Sequence, residues 1–241
     1  TKGSYDFDDV FFTGSANLAT APGSVILVSQ SGGFVAAGTT GNLSVGVNTI
    51  SLAAADALTG AQNFAFVGTI SLGATTFTLD SGQTIAGFGN GGVVSTGTIQ
   101  PANVQGNLGA TGGNVTGDEA VVNGTANLMQ LLGDNAVRNT AFDFSGATGS
   151  AFLIDQGAVG FSNAAGITIE GVTISNVAAG QTAVQVTGLN GNLSVINNNI
   201  SVAGALLNVN GGTGTISVSR GFLPNGGPAG TLTGGGISIA N

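Results

Sequence analysis

The chain has 241 residues, of which 44 are Gly and 42% are hydrophobic, yet only 6% are charged. Three basic residues against eleven acids give a net charge of −8, which excludes the clustered Lys and Arg that nucleic acid and anionic membranes require. The absence of Cys excludes disulfides and thiolate metal sites, four Pro without a Gly-X-Y period exclude collagen, and no run of about 18 apolar residues is present to cross a membrane as a helix.

From the N-terminus, Asp6, Asp8 and Asp9 form the densest acidic cluster. Closely spaced carboxylates suit a hard cation, so these three are weak metal candidates. A solvated terminal loop is the preferred assignment, and no catalytic or cofactor-binding residue is expected anywhere. Strands are expected at Val25–Val28, Leu43–Val45, Ile50–Leu52, Ile70–Leu72 and Phe77–Leu79, each an apolar stretch or an apolar–polar–apolar alternation. Between them, Ala53–Ala61 suits a helical turn or a loop, and residues 1–60 are the less regular part. The run GFGNGG at 87–92 is followed by neither Lys-Ser/Thr nor a helix, so it is assigned to turns rather than a phosphate cradle. Loops are expected from Gln100 to Val121, with Asp118 and Glu119 at a tip.

The C-terminal half repeats. Ile167-Thr-Ile169, Leu193-Ser-Val195, Ile216-Ser-Val218 and Ile237-Ser-Ile239 recur at steps of 26, 23 and 21 residues, and Ile174, Ile200 and Leu223 keep the first two of these steps. A second row, Phe152-Leu-Ile154, Val184-Gln-Val186 and Leu207-Asn-Val209, recurs at steps of 32 and 23. The 32-residue step also separates Val137 from Ile169 and Phe142 from Ile174, as one insertion within one repeat would make it. The windows GNLSVGVNTI (41–50) and GNLSVINNNI (191–200) agree at seven of ten positions. Alternation buries one face of each short strand, and Gly and Asn between strands suit tight corners. The expected fold is therefore an all-β solenoid of about ten coils of roughly 21–26 residues with one longer coil, in a single domain spanning 1–241.

The stretches FTLDSGQTIAGFG (77–89), LLGDNAVRNTAF (131–142) and GITIEGVTISNV (166–177) resemble right-handed parallel β-helices of the pectin-lyase-like class. The likeness covers about residues 64–241 and is greatest to the passenger and adhesin domains of Gram-negative bacterial surface proteins. It implies three parallel sheets, stacked Asn or aliphatic ladders and an outer-surface address; it implies no ligand. Autotransporters end in a membrane barrel with a terminal aromatic, whereas this chain stops at Asn241 after GGGISIA. Either a translocator is therefore expected elsewhere, in a larger exported protein of which this is an excerpt, or export uses another route.

Enzymes of that class use a calcium site with a basic residue, or several Asp with His, Arg and Lys. Here there is no His, and Arg138 and Arg220 lie far apart in the sequence. Arg138 aligns with Glu170 in the 32-residue register and is assigned to the solvated outer face. Asn197, Asn198 and Asn199 form either a polar glycan-binding patch or an amide ladder, the latter preferred. No enzyme activity and no cofactor are expected. The expected role is an extracellular structural or adhesive β-helix, secreted or on the outer cell surface, autotransporter-like and acting in cell adhesion. Its expected partners are host or neighbouring-cell surface glycans or proteins, or copies of itself, with no nucleic acid and no membrane insertion. The alternatives are a self-assembling filament or surface-layer subunit, and a carbohydrate-active β-helix enzyme.

Overall fold

A computed structural model describes residues 25–35, 47–88, 120–138, 140–162, 166–196, 199–201, 203–219, 232–233 and 237–240. It begins with β1 (Val25–Ser29), β2 (Ser31–Val35), β3 (Val47–Ser51) and the short helix α1 (Leu52–Asp56). Strands then come in threes. The first two sets are β4 (Asn63–Val67), β5 (Thr69–Ser71), β6 (Phe77–Leu79), and β7 (Thr84–Phe88), β8 (Ala120–Asn123), β9 (Met129–Leu131). Next come β10 (Ala136–Arg138), β11 (Thr140–Asp143), β12 (Ser150–Asp155), and β13 (Gly166–Glu170), β14 (Thr173–Ser175), β15 (Thr182–Thr187). The last are β16 (Asn192–Ile196), β17 (Asn199–Ser201), β18 (Ala205–Asn210), and β19 (Ile216–Ser219), β20 (Leu232–Thr233), β21 (Ile237–Ala240).

Each set contributes one strand to each of three sheets, in fixed rotation, and each strand pairs with its counterpart in the neighbouring set. The first sheet has nine strands, because β1, β3 and β2 extend it beyond β4; the second and third have six each. The second and third sheets are wholly parallel, and the only antiparallel pairing among the described residues joins β2 to β3. The architecture is all-β with stacked parallel sheets, compatible with the expected solenoid.

Register explains the apolar spacing. Phe64, Ile85, Val137, Ile169, Val195 and Val218 are successive partners in the first sheet. Ile70, Val122, Phe142, Ile174 and Ile200 run through the second, and Phe77, Met129, Phe152, Val184 and Leu207 through the third. All belong to one continuous core, apart from Val218, which packs against it half-buried. The alternation puts Ile167, Ile169, Leu193, Val195, Val184, Val186, Leu207 and Val209 inside, while Thr168, Ser194, Gln185 and Asn208 are partly exposed. A parallel ladder needs this: a one-residue slip would exchange the two sets.

The 32-residue step comes from the connection after β12, which occupies residues 156–165 where the connection after β15 needs only 188–191. A larger step of 52 residues separates Ile85 from its partner Val137, so one longer coil was an undercount. Six sets, not ten, are found among the described residues. Two row assignments also change. Ile237–Ile239 pairs with Leu207–Val209 in the third sheet, so it does not continue the Ile216 row. Ile200 pairs with Leu232, while Leu223 lies outside the described residues. A period read from similar dipeptides cannot separate two sheets that share the Ile-Ser-Ile/Val pattern.

Other expectations shift locally. Ile50 is in β3, but Leu52 opens α1, whose N-terminus is capped by the Ser51 hydroxyl accepting from Ala54 N–H at 3.2 Å. Gly87 and Phe88 are strand, paired with Phe66 and Val67, rather than turn. Ala120 and Val121 are strand rather than loop. Leu43–Val45 lies outside the described residues. Corners need Gly where backbone approaches backbone. Gly133 has φ +96°, and a Cβ there would lie 1.8 Å from Ser162 O. Gly212 has φ +102°, with Leu189 O at 2.2 Å from the same atom.

Candidate functional site

The outward positions of the first and third sheets form columns of mostly polar side chains, interrupted by Ala136 in the first and Leu153 in the third. In the first sheet Asn63, Thr84, Ala136, Thr168, Ser194 and Ser217 are successive partners, and the Thr84 hydroxyl donates to Asn63 Oδ1 at 2.7 Å. In the third, Gln130, Leu153, Gln185 and Asn208 follow one another, with Asn208 Nδ2 donating to Gln185 Oε1 at 3.2 Å. Thr168, Ser194 and Ser217 thus place three hydroxyls in one column, while Ser238 partners Asn208 in the third sheet.

Amides also bind one coil to the next at the corners. Asn127 Oδ1 accepts from Ser150 N–H at 2.7 Å, and Asn190 Oδ1 accepts from both the N–H and the hydroxyl of Thr213 at 3.0 Å. Asn135, almost wholly buried, donates through Nδ2 to Asp80 O at 2.8 Å and Gln83 O at 3.0 Å. Gln83 and Gln181 share one geometry. Each accepts from the backbone N–H three residues earlier, at Asp80 and Ala178, and donates Nε2 to an earlier coil, at Leu58 O and Ala147 O. The sequence leads one to expect the amide ladder at 197–199. Asn197 and Asn198 lie outside the described residues, and Asn199 opens β17. The usable signal was the Gln of DSGQT and AAGQT, three residues after the backbone donor it satisfies.

The charged groups are dispersed. Arg138 does align with Glu170, but it is paired rather than merely solvated: Nε donates to Glu170 Oε2 at 3.0 Å. Asp143 Oδ1 accepts from Ser145 N–H at 3.0 Å, the Ser145 hydroxyl at 2.6 Å and Asn176 Nδ2 at 2.7 Å. The Ser145 hydroxyl, then Asn176, hold its carboxyl below the usual 3.8, against a smaller opposing effect of burial. Asp155 Oδ1 caps Gly157 N–H at 2.9 Å, and Asp134 Oδ2 accepts from the Ser162 hydroxyl at 3.3 Å. Among the described residues no group of three or more acids could hold a metal ion. Asp6, Asp8 and Asp9 lie outside the described residues, as do Asp118, Glu119, Lys2 and Arg220. No helix among the described residues is long and apolar enough to cross a membrane.

What the arrangement offers chemically is a set of mostly polar, hydrogen-bonding faces with few charges, on a buried apolar core. No protein-family model, curated protein or solved structure matches this chain.

Proposed function

We propose that the chain is a right-handed parallel β-helix of the pectin-lyase-like class, serving as a structural and adhesive element of a secreted or outer-surface bacterial protein. Parallel crossovers in one sheet are right-handed in about 98% of cases, which supports the hand. The observation that carries the role is the column of register-matched amides and hydroxyls on the outer faces, Gln130, Gln185 and Asn208 above all. Gln185 and Asn208 stand at the spacing of adjacent strands, roughly 4.8 Å, and Gln130 lies one strand further on beyond Leu153, with little charge to repel a partner. Its partners are surface glycans or proteins of a host or neighbouring cell. The chain is assigned no catalytic role: Glu170 is tied to Arg138, and one oxygen of Asp143 is fully engaged.

The test is retention of the purified chain on immobilised cell-surface polysaccharides and on intact cells, for the native protein and for Gln185→Ala/Asn208→Ala. Binding that weakens in the double variant, with unchanged circular dichroism, is expected. Equal binding by both proteins would remove this face from the role. Cleavage of polygalacturonate that disappears in Arg138→Ala would replace adhesion with catalysis.

A further inference from the structure

A stack of parallel strands has two ends, and each presents a row of N–H and C=O groups that another chain can pair with. The end at β4–β6 is closed differently from the end at β19–β21. In the second sheet β5 is the terminal strand, and its Ser71 N–H donates to Gln30 Oε1 at 2.6 Å while Gln30 Nε2 donates to Ser71 O at 3.1 Å. One side-chain amide thereby occupies both backbone groups of an edge residue. In the third sheet β6 is terminal, and its Thr78 N–H donates to Asp56 Oδ1 at 3.0 Å. In the first sheet β1 and β3 continue the stack and β2 reverses it, pairing antiparallel to β3. Over the core, α1 contributes the buried Ala55, and Leu52 and Leu58 pack against the cluster. Gln83 Nε2 fastens the segment after the helix by donating to Leu58 O at 2.7 Å.

We infer that residues 25–35 and 47–58 form a terminating cap, and that Gln30 and Asp56 are its edge-blocking side chains, excluding a second copy of this chain from the β5 and β6 edges. Left open, those edges could pair with the parallel edge that β19, β20 and β21 present at the other end of the described stack. Head-to-tail growth is thus blocked at one end by two side chains, and the stack has a defined polarity. The inference is independent of what the outer faces bind.

The experiment uses the whole 241-residue chain and compares it with Gln30→Ala/Asp56→Ala, reading amide exchange at Ser71 and Thr78 and sedimentation over a range of concentrations. Loss of each edge hydrogen bond should speed exchange at those amides about two- to twelve-fold, and the variant should form concentration-dependent species that the native chain does not form through this end. Asp56→Asn keeps an acceptor oxygen and should keep Thr78 protected, and Gln30→Glu should keep only the Ser71 N–H bond. These two single variants carry the test should the double variant fail to fold. Unchanged exchange in the alanine variants, loss of protection in Asp56→Asn, or equal head-to-tail assembly by native and variant chains would each overturn the cap.

Discussion

Phe152→Ala tests whether the three sheets enclose one core. Phe152 is fully buried on β12, between its third-sheet partners Met129 and Val184. Its ring meets that of Phe142, on the second sheet, at 4.6 Å between centroids and 65° between planes. Because neighbouring strands hold β12 in register on both sides, the site has little freedom to collapse into the space left. The expected loss is therefore toward the upper part of the about 3–5 kcal/mol typical of Phe→Ala in a core. That is a large share of a domain's usual total of about 5–15 kcal/mol. The edge-to-face contact itself accounts for about 0.5–1.5 kcal/mol, and a cycle of Phe142→Leu, Phe152→Leu and the double variant isolates it. Urea unfolding followed by far-ultraviolet circular dichroism gives the midpoints, and amide exchange of β9, β12 and β15 shows whether the loss is local, since stacked arrays need not unfold in one step. A loss under about 1 kcal/mol, or a coupling of zero, would refute a core packed across the sheets.

Asn135→Ala should cost about 1–3 kcal/mol in urea, because it removes the donor to Gln83 O inside the stack. Asp143 titrates below its ordinary value, so its contribution to stability is fully present above that value and is lost as pH falls through the lowered pKa. Urea midpoints taken from about pH 5 down to pH 2 should fall less steeply in Asp143→Asn than in the native chain. Gly133→Ala should lower the thermal midpoint far more than Gly180→Ala. Both have positive φ, but a Cβ at Gly133 strikes Ser162 O at 1.8 Å, whereas at Gly180 nothing lies within 4 Å. Equal losses at the two positions would mean that backbone conformation alone decides the cost.

The inward and outward sets of the C-terminal coils were legible because alternation has period two and each buried pair recurs in register. The alignment of Arg138 with Glu170 was legible for the same reason, since the 32-residue offset that aligns Ile169 with Val137 aligns their neighbours too, whereas the ion pair between them was not. The separation of the Ile237 row from the Ile216 row was not. Both sheets take Ile-Ser-Ile/Val, and only the number of corners between them decides which sheet receives the strand. The roles of Gln30 and Asp56 were hidden as well. Each satisfies a strand edge at 41 and 22 residues' separation, with no local pattern to mark it. Gln83 and Gln181 were within reach, because their backbone donor is three residues away and the surrounding phrase repeats.

The scarcity of charge follows from the same geometry. In a parallel stack, an outward residue has a register partner about 4.8 Å above and another below, so a charged column would place like charges in sequence. At that distance two like charges in water repel by about 0.9 kcal/mol, and more at a partly dried surface. Ser, Thr, Asn and Gln avoid the repulsion and can bond along the column, as Asn208 does to Gln185. The charges on the described strands obey the rule. Arg138 faces Glu170 of opposite sign, Asp143 lies between Asn123 and Ser175, and Asp155 is partnered by Thr187. The sparse charge on the described strands is therefore consistent with repeated stacking, before any partner is considered. The uncharged face proposed to hold surface glycans or proteins is the same feature seen from solvent.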